Sequence, residues 1–529
     1  EAGGEAGTTS PEKPTKAASP SSSPSASPDA TASGGAACQF AWLTNLWEVG
    51  ITEHLGKDWA VVDHSNLGQM KLMVLARTTS GHACTGVTRA KSACGIGGVV
   101  PNKGGILTGF HIRNTYLGFM SAHLAAHMEH WATRDANYAE ILRETMHAGP
   151  RDLDAAVQFD HLFWVGDLNY RVDRDHGRPK DQHHTKEENW AAVKQLIDDK
   201  DYAAILQHDQ LHHSRARGSA WVGFEEADIA FDPTFKVERS VGPGQYKAKR
   251  VPAFCDRVLW RSAPHTQGNV ECTMYKGVPL VSTSDHKPVI ADVRIKVSTP
   301  PPEVYNMRNH GKMLRSQSAR KASAAGDGNE GMIAYALEKR RRVWPVVSFS
   351  GLKADGIVSS DFGGTSDPYL TFYTNPSDVL WRHPHKTDHT GAAHPPQTAI
   401  EPKTLNPRWA DEKVPMLHPR VNTDAALDNC SLIISVKDSD LMTADDVLGY
   451  VSLRFPTRAF CKDAPVGAQE FSYDFDEPIL FEGTTGKSGR LSGNIKVSWT
   501  DDMRLTALEW YESEYSDVCK CCNTACTVM

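Results

Sequence analysis

The chain reads FWVGDLNYR at residues 163–171. The apolar residues 162–165 predict a buried strand, and Gly166 ends it so that Asp167 and Asn169 emerge together at the strand end. This pair suits hydrolysis of a phosphate ester, because Asp167 can take a proton from water while Asn169 donates a hydrogen bond to the attacked group. A structural strand followed by an Asx turn is the alternative that this stretch alone leaves open.

Length and composition limit the classes of protein that the chain can form. With 529 residues it is too long for one ordinary domain, and its 40% hydrophobic content is enough for buried cores. A net charge of -7 argues against a general nucleic-acid-binding protein. No apolar run approaches the ~20 residues that span a bilayer. The 11 cysteines are scattered except at the C-terminus, which is typical of a reduced, cytosolic protein.

The pattern along the chain predicts a disordered start and then a layered domain. Residues 1–37 are rich in Ser, Pro, Ala and Gly, and they cannot offset the entropy of ordering. Across residues 38–298 apolar strands alternate with helical segments, which favours an α/β layered sandwich. The pattern predicts strands at 59–62, 71–76, 106–112 and 116–120 and helices at 137–146 and 188–197.

Four further motifs accompany the first stretch. They are NKGG at 102–105, SAHLAAH at 121–127, PAFCDRVL at 252–259 and SDHKPV at 284–289. In this order the set resembles the inositol polyphosphate 5-phosphatases, a branch of the exonuclease-endonuclease-phosphatase superfamily. The resemblance spans about residues 40–298 and implies hydrolysis of a phosphate monoester.

The resemblance also implies catalytic roles for individual side chains. Asp256 would orient His286 and keep it charged, so that the imidazolium binds a phosphate oxygen as negative charge develops. Asp167 would activate water, while Asn169 and His123 would hold the phosphoryl group. No covalent intermediate is implied.

A catalytic Mg²⁺ is part of the same resemblance. The ion would be bound partly through water, with Asp285 near it or its waters. In the family an upstream strand carries an Asn, and a Gln-Glu pair supplies a Glu that binds this ion. Neither is recognisable in this sequence, so we expect both to lie upstream of Glu1. Glu48 is a poor substitute because it lies too close to the strand predicted at 59–62.

Basic residues are concentrated between positions 235 and 257 of an otherwise acidic chain. A polyanionic ligand requires such charge-assisted hydrogen bonds, although a solvated surface would also explain the cluster. The resemblance implies that this region grips the 4-phosphate of an inositol ring and that the loop with Asn102 and Lys103 lies near the headgroup and lipid. Phe235 and Ala248 stand where the family usually has Tyr and often has Lys. The implied ring-binding residues are Lys236, Lys247, Lys249 and Arg250.

The segment at 299–342 is predicted to be a basic linker, and residues 343–502 form a second domain. The linker has nine basic residues from 308 to 342 against three acidic ones. Attraction to an anionic leaflet and simple solubility explain this charge equally well.

Five aspartates lie in two loops at predicted strand ends of the second domain. Such carboxylates repel one another unless a hard cation neutralises them. The spacing resembles a calcium-binding C2 domain, which implies an antiparallel β-sandwich and a Ca²⁺ site; a C2 domain without calcium is the alternative. The implied Ca²⁺ ligands are Asp361, Asp367, Asp438, Asp440 and Asp446.

The tail at 503–529 ends in CTVM, which fits a C-a-a-X box with farnesyl on Cys526. The preceding cysteines 519, 521 and 522 are candidates for palmitoylation, the second signal that stable anchoring needs. A chance match or a zinc site is the alternative.

Taken together, the motifs predict a Mg²⁺-dependent phosphoinositide 5-phosphatase. Its partners would be phosphoinositide lipids and an anionic membrane, with no nucleic acid, and it would be cytoplasmic and peripheral on the cytosolic face of a membrane. The predicted substrates are phosphatidylinositol 4,5-bisphosphate or 3,4,5-trisphosphate, together with soluble inositol polyphosphates. Two alternatives stay open: a catalytically inactive calcium-dependent phospholipid-binding protein, and a related nuclease or sphingomyelinase.

Overall fold

The computed structural model describes residues 46–80, 83–95, 101–146, 153–239, 245–297, 345–359, 364–377, 379–380, 383–387, 393–421, 423–440, 445–465, 468–485 and 489–499. The predicted disordered start, the basic linker and the C-terminal tail lie outside these residues, as do Asp361 and Cys526. The chain divides into two compact units, residues 1–59 and residues 60–529. Helix α1 (Leu46–Leu55) lies in the first unit.

A five-stranded mixed sheet forms the centre of the α/β layer, in the order β3-β4-β5-β6-β7. Strands β5 and β6 run parallel, and the other neighbours run antiparallel. The strands are β3 (Cys84–Ala93), β4 (Gly104–Ile112), β5 (Thr115–His123), β6 (His161–Asp167) and β7 (Asp256–Ser262). Two-stranded sheets join β1 (Trp59–Leu67) to β2 (Met70–Arg77) and β8 (Val270–Gly277) to β9 (Val289–Ile295).

The longest helix packs against this sheet through buried aromatic side chains. Tyr138 of the longest helix lies 4.4 Å from the Trp221 ring, and both contact the fully buried Trp164 of β6. The helices of this layer are α2 (Trp131–Glu144), α3 (Ala155–Gln158), α4 (Lys186–Asp198), α5 (Tyr202–Leu206) and α6 (Gln210–Ala216). Within the described residues no helix is long and apolar enough to cross a bilayer.

The second domain is a sandwich of two three-stranded antiparallel sheets, ordered β10-β17-β16 and β11-β14-β15. Phe349 and Phe372 stack 5.3 Å apart between the sheets, in a core that is closed to solvent. The strands are β10 (Val346–Asp355), β11 (Pro368–Asn375), β12 (His383–Thr387), β13 (Ala393–His394), β14 (Ser431–Asp438), β15 (Asp446–Arg454), β16 (Glu470–Pro478) and β17 (Arg490–Ser498), with α7 (Asp424–Asp428) before β14. The predicted succession of an α/β layer and a β-sandwich is therefore confirmed.

The sandwich packs directly on the α/β layer. Leu153 and Val157 form one buried apolar cluster with Ile433 and Tyr450 of the sandwich. Near the C-terminal end of α2, Arg143 Nη1 lies 2.6 Å from a carboxylate oxygen of Glu482. Polar contacts surround the cluster: the hydroxyl of Tyr138 donates to the carbonyl of Gly483 (3.5 Å), and the backbone N–H of Thr485 donates to the carbonyl of Gly218 (2.9 Å).

Candidate active site

Three of the predicted site residues stand in one row across the central sheet. His123 is the register partner of Asp167 in the parallel pair β5–β6, and Asp167 is the partner of Asp256 in β6–β7. Gly104, which follows Lys103, stands opposite His123 in β4–β5. Because the strand ends that carry these residues meet at one edge of the sheet, motifs far apart in sequence come together there.

Gly166 makes the close approach of β5 and β6 possible. Its φ is +133°, and a Cβ at this position would lie 2.1 Å from the carbonyl oxygen of Ala122. Any other residue would push the two strands apart just before Asp167 and His123. The close approach of β5 and β6 therefore requires a glycine at position 166 of the first motif.

His286 reaches the row from the segment after β8. Its Nδ1 lies 2.9 Å from Oδ2 of Asp256, and its Nε2 lies 3.9 Å from Oδ2 of Asp167. Burial works against the charged imidazole, but the hydrogen bond to Asp256 and the nearby carboxylates of Asp256, Asp167 and Asp285 outweigh it and raise the pKa of His286. Thr234 donates a hydrogen bond to the same Asp256 oxygen (2.7 Å).

Asp167 is surrounded by donors. His123 Nε2 lies 3.1 Å from its Oδ2, and the backbone and side-chain N–H groups of Asn169 donate to its two oxygens, each at 3.1 Å. Burial raises the pKa of this carboxyl, but the His123 hydrogen bond and the charges of His286, His123 and Arg171 leave it below its usual value. Asp167 is therefore ionised at neutral pH.

Arg171 belongs to the first motif, but sequence reasoning assigned it no role. Its guanidinium donates to both the carbonyl (2.9 Å) and the side-chain oxygen of Asn169. The same group lies 4.3 Å from the centre of the Phe235 ring, which in turn lies 4.6 Å from the imidazole of His286. The other amide hydrogen of Asn169 goes to the carbonyl of Leu124 (3.1 Å). The signal that could have revealed Arg171 was its place in the motif.

Helix α2 holds the segment that follows His123. Arg134 Nη1 donates to the carbonyls of Ala125 (3.0 Å) and His127 (2.6 Å), and the N–H of Ala125 donates to Asn137 (3.2 Å). Arg134 is fully buried. The strand end that carries His123 is therefore fixed from the helix side as well.

Two of the predicted ring-binding residues, Lys236 and Lys247, already pair with acidic side chains. Lys236 Nζ and Arg239 Nη2 lie 2.8 and 2.9 Å from Asp285, and these contacts outweigh burial and keep the pKa of Asp285 well below its usual value. Asp285 thus lies beside His286 but is paired with two cations. Lys247 lies 3.4 Å from Glu238.

The remaining predicted substrate-binding residues differ in their exposure. Lys249 and Arg250 are exposed, as is Asn102 in the loop before β4. Lys103 contacts Nε2 of His123, and burial lowers the pKa of its ammonium group.

One cluster in the described part of the chain could hold a metal ion. Asp167, Asp256 and His286 each offer a donor atom, and these atoms lie within 4.8 Å of one another. The two carboxylates are the oxygen ligands that Mg²⁺ takes, and waters or phosphate oxygens usually complete its shell. Because Nδ1 of His286 is hydrogen-bonded to Asp256 and the raised pKa of His286 favours the charged imidazole, it is the two carboxylates that fit a Mg²⁺ held partly through water.

Four of the five predicted Ca²⁺ ligands are described. Asp438 is buried and accepts the backbone N–H of Asp367 (2.5 Å), and Asp446 is its register partner in β14–β15. The backbone N–H of Asp440 donates to Asp445 (3.1 Å). These aspartates thus lie at one end of the sandwich, where β11, β14 and β15 end or begin.

Two family models match the chain, and one solved structure is similar to part of it. Residues 21–292 match Endonuclease/Exonuclease/phosphatase family 2, and residues 346–470 match the C2 domain. A solved structure of the inositol polyphosphate 5-phosphatase domain of spsynaptojanin, in complex with inositol (1,4)-bisphosphate and calcium ion, is 25% identical, covers 50% of this chain and 71% of its own, and has a TM-score of 0.37.

Curated relatives are similar to about half of the chain. Human phosphatidylinositol 3,4,5-trisphosphate 5-phosphatase 2 is 31% identical over 269 residues, which is 49% of this chain and 20% of that protein. Human phosphatidylinositol 3,4,5-trisphosphate 5-phosphatase 1 is 32% identical over 246 residues, which is 44% of this chain and 19% of that protein. The chain thus spans about a fifth of their length. A C2 domain follows the layered sandwich, and the chain belongs to Endonuclease/Exonuclease/phosphatase family 2.

Proposed function

We propose that this chain is a Mg²⁺-dependent phosphatase that removes the 5-phosphate from phosphoinositides. The observation that carries the proposal is the row of His123, Asp167 and Asp256, completed by His286. It places an ionised carboxylate beside an imidazole that Asp256 keeps charged, as hydrolysis of a phosphate monoester needs. The names of the relatives at about 30% identity support the choice of inositol lipids.

In this mechanism Asp167 holds a water and takes its proton as the oxygen attacks phosphorus. The bond between phosphorus and the 5-oxygen of the ring breaks, and the released ring oxygen takes a proton from solvent. Protonated His286 donates to a phosphate oxygen, and Asp256 holds the imidazole in position through Nδ1. Asn169 uses its amide hydrogens on Asp167 and Leu124, so in this geometry it orients the base. His123 and Lys103 complete the contacts to the phosphoryl group.

Asp167 and Asp256 would hold the Mg²⁺, with Asp285 next to His286 near its waters. When bound, the ion neutralises charge on the phosphoryl oxygens. Cys255 takes no part as a nucleophile, because complete burial raises the pKa of its thiol well above the usual value.

Substrate choice would rest on the basic residues between positions 235 and 257. Lys236, Lys247, Lys249 and Arg250 would bind the 4-phosphate, with Asn102 near the headgroup. Phosphatidylinositol 4,5-bisphosphate and 3,4,5-trisphosphate are the proposed substrates, and soluble inositol polyphosphates carry the same phosphate groups.

Membrane recruitment is the second part of the proposal. Ca²⁺ at Asp361, Asp367, Asp438, Asp440 and Asp446 would neutralise the end of the C2 domain and let it meet an anionic leaflet. A farnesyl group on Cys526 would add a weak, reversible attachment. The protein would then work in the cytoplasm, peripheral on the cytosolic face of a membrane.

Phosphate release from phosphatidylinositol 4,5-bisphosphate and 3,4,5-trisphosphate tests the proposal. Asp167→Asn and His286→Ala should each lower kcat by about 10²-fold or more, since a general acid or base contributes that much. His184→Ala is the matched control, because this imidazole pairs with Asp175 (2.6 Å) outside the row. More than about a tenth of the activity in both variants would remove the two residues from the mechanism. Release by neither wild type nor variants, with Ca²⁺-dependent vesicle binding intact, would favour a lipid-binding protein without catalysis.

A further inference from the structure

The turn between β8 and β9 displays apolar side chains beside the candidate active site. Leu280 is 83% exposed and Val281 is 37% exposed, and Ile290 on the adjoining strand is 42% exposed. These are three of the seven large hydrophobic residues that are exposed in the described part of the chain. Such clustering at one tip differs from the scattered exposure that is normal on a soluble surface.

Hydrogen bonds fix this turn in its exposed position. The N–H of Val278 donates to the carbonyl of Pro288 (2.7 Å), and the N–H of Val281 donates to the carbonyl of Val278 (3.3 Å). The buried Lys287 donates from Nζ to the carbonyl of Val281 (2.7 Å). Leu280 is therefore held outward by the folded chain.

The anchor of the turn is directly linked to the site. Lys287 is the neighbour of His286, and its N–H donates to the carbonyl of Thr234 (2.9 Å). Thr234 in turn donates to Asp256, the partner of His286. The turn and the catalytic pair therefore share one short, rigid stretch of backbone.

An exposed basic residue stands beside the apolar tip. The exposed Lys276 is the register partner of Ile290 in β8–β9. Val237, which lies upstream of the exposed Lys249 and Arg250, donates its N–H to the carbonyl of Asp285 (3.0 Å), next to His286. An apolar tip with basic neighbours is the combination that binds an anionic lipid interface. Three side chains are too few for a stable protein interface, which buries about 1,200 Å² or more.

We propose that Leu280 and Val281 insert into the anionic bilayer that carries the substrate. Insertion brings the bilayer surface to His286, so that the headgroup can be hydrolysed while its lipid stays in the bilayer. The inference rests on the proposed function, which supplies the lipid substrate. The turn then favours membrane-borne over soluble inositol phosphates, independently of Ca²⁺ and of the C2 domain.

The full chain is tested with Leu280→Ser and with Met416→Ser, a control that removes a 50% exposed apolar side chain from the C2 domain. Binding is measured by sedimentation with phosphatidylcholine vesicles that contain phosphatidylserine, with a chelator present to keep Ca²⁺ away. Leu280→Ser should bind about tenfold more weakly, the loss expected when one leucine no longer enters an apolar phase. Met416→Ser should bind like wild type.

Activity is measured on phosphatidylinositol 4,5-bisphosphate in the same vesicles and on soluble inositol 1,4,5-trisphosphate. Leu280→Ser should lower the vesicle rate about tenfold and leave the soluble rate unchanged. Unchanged vesicle binding overturns the inference, and so does an equal loss on both substrates. A change in monomer–dimer sedimentation without a vesicle effect identifies a second copy as the occupant and also overturns it. A wild type that hydrolyses neither substrate contradicts the proposed function, while the binding measurement still decides the role of Leu280.

Discussion

Arg171 contacts groups on two sides of the reaction centre. Through Asn169 it orients the carboxylate of Asp167, and through the Phe235 ring it supports the imidazole of His286. Its side chain is buried, so these contacts are not shared with bulk water. We therefore propose Arg171 as a positioning residue for Asp167 and His286, the two groups to which the proposed mechanism assigns the proton transfers.

Arg171→Lys tests this role. Lysine keeps the positive charge near Asp167 but lacks the planar fork and the stacking face. We expect kcat to fall by about 10- to 100-fold, because small displacements of catalytic groups have effects of this size, while KM stays within about threefold. Steady-state kinetics measures kcat and KM separately, and a melting curve checks that the variant is folded. A rise of KM with unchanged kcat would show that Arg171 serves substrate binding.

Asp154 combines burial with a helix N-cap. Burial raises the pKa of its carboxyl to about 6, even though the N–H of Ala156 donates to it (2.7 Å) and Arg261 lies nearby. In the unfolded chain the group ionises near pH 4, so the folded state loses stability as pH rises from about 4 to about 6 and does not regain it.

Asp154→Asn should therefore stabilise the protein at neutral pH. Asparagine keeps the N-cap and removes the charge, and the gain at pH 7 is at most on the order of 3 kcal/mol. Thermal unfolding of both proteins between pH 4 and 7 measures it. Asp201→Asn is the control, since Asp201 is an exposed N-cap that accepts from Ala204 (3.0 Å). Equal pH dependence in wild type and Asp154→Asn would contradict the prediction.

At the scale of elements, one glycine sets how closely the C2 domain meets α2. Gly483 has a φ of +68°, and a Cβ there would lie 2.3 Å from the hydroxyl of Tyr138 and 2.6 Å from Cδ1 of Leu142. Both groups are buried in the core of the α/β layer. The backbone of the C2 domain can therefore approach the helix only without a side chain at this point.

Gly483→Ala should weaken the packing between the two domains. Left-handed strain and the clash together cost roughly 2–4 kcal/mol. Calorimetry should show a lower Tm and a separation of the two domain transitions. Gly351→Ala is the matched control, because Gly351 has a φ of +61° with no heavy atom within 4 Å of the added Cβ. An equal effect of both substitutions would assign the loss to backbone strain alone.

Sequence reasoning was most successful where local pattern decides structure. The strand before Asp167 follows from the apolar run at 162–165. The grouping of His123, Asp167 and Asp256 was implied by the family resemblance, and the three residues lie in one row across the sheet. The helix predicted at 137–146 was found as α2, beginning six residues earlier at Trp131.

What sequence did not predict depends on contacts between distant segments. Thr234 and Phe235 lie in an irregular segment whose pairing with residues 253 and 286 no periodicity reveals. Asp285 was expected near the metal, and its pairing with Lys236 and Arg239 depends on how that segment folds back. Gly483 looks like an ordinary turn glycine until α2 is packed against it.

At the scale of the whole molecule, calcium should control attachment to membranes. Asp438 and Asp440 lie in one proposed Ca²⁺ loop, and Asp438→Asn with Asp440→Asn removes two negative charges with little change of shape. Wild type without lipid modification should bind anionic vesicles more tightly with Ca²⁺, and the double variant should lose this response. Vesicle sedimentation across a range of free Ca²⁺ measures it. Asp476→Asn is the control. Asp476 is exposed and pairs with Arg490, and both residues lie on the β10-β17-β16 sheet, away from β14 and β15. Identical wild-type binding with Ca²⁺ and with chelator would refute calcium control.

Helix α2 contacts the segment after His123 through Arg134 and the C2 domain through Tyr138 and Arg143. The two domains are thus joined by a packed surface as well as by the chain. Recombination that exchanged one domain for a homologous copy would succeed only if the new copy also carried the glycine and the apolar face that α2 and α3 require. The pair is therefore expected to be inherited as a single unit.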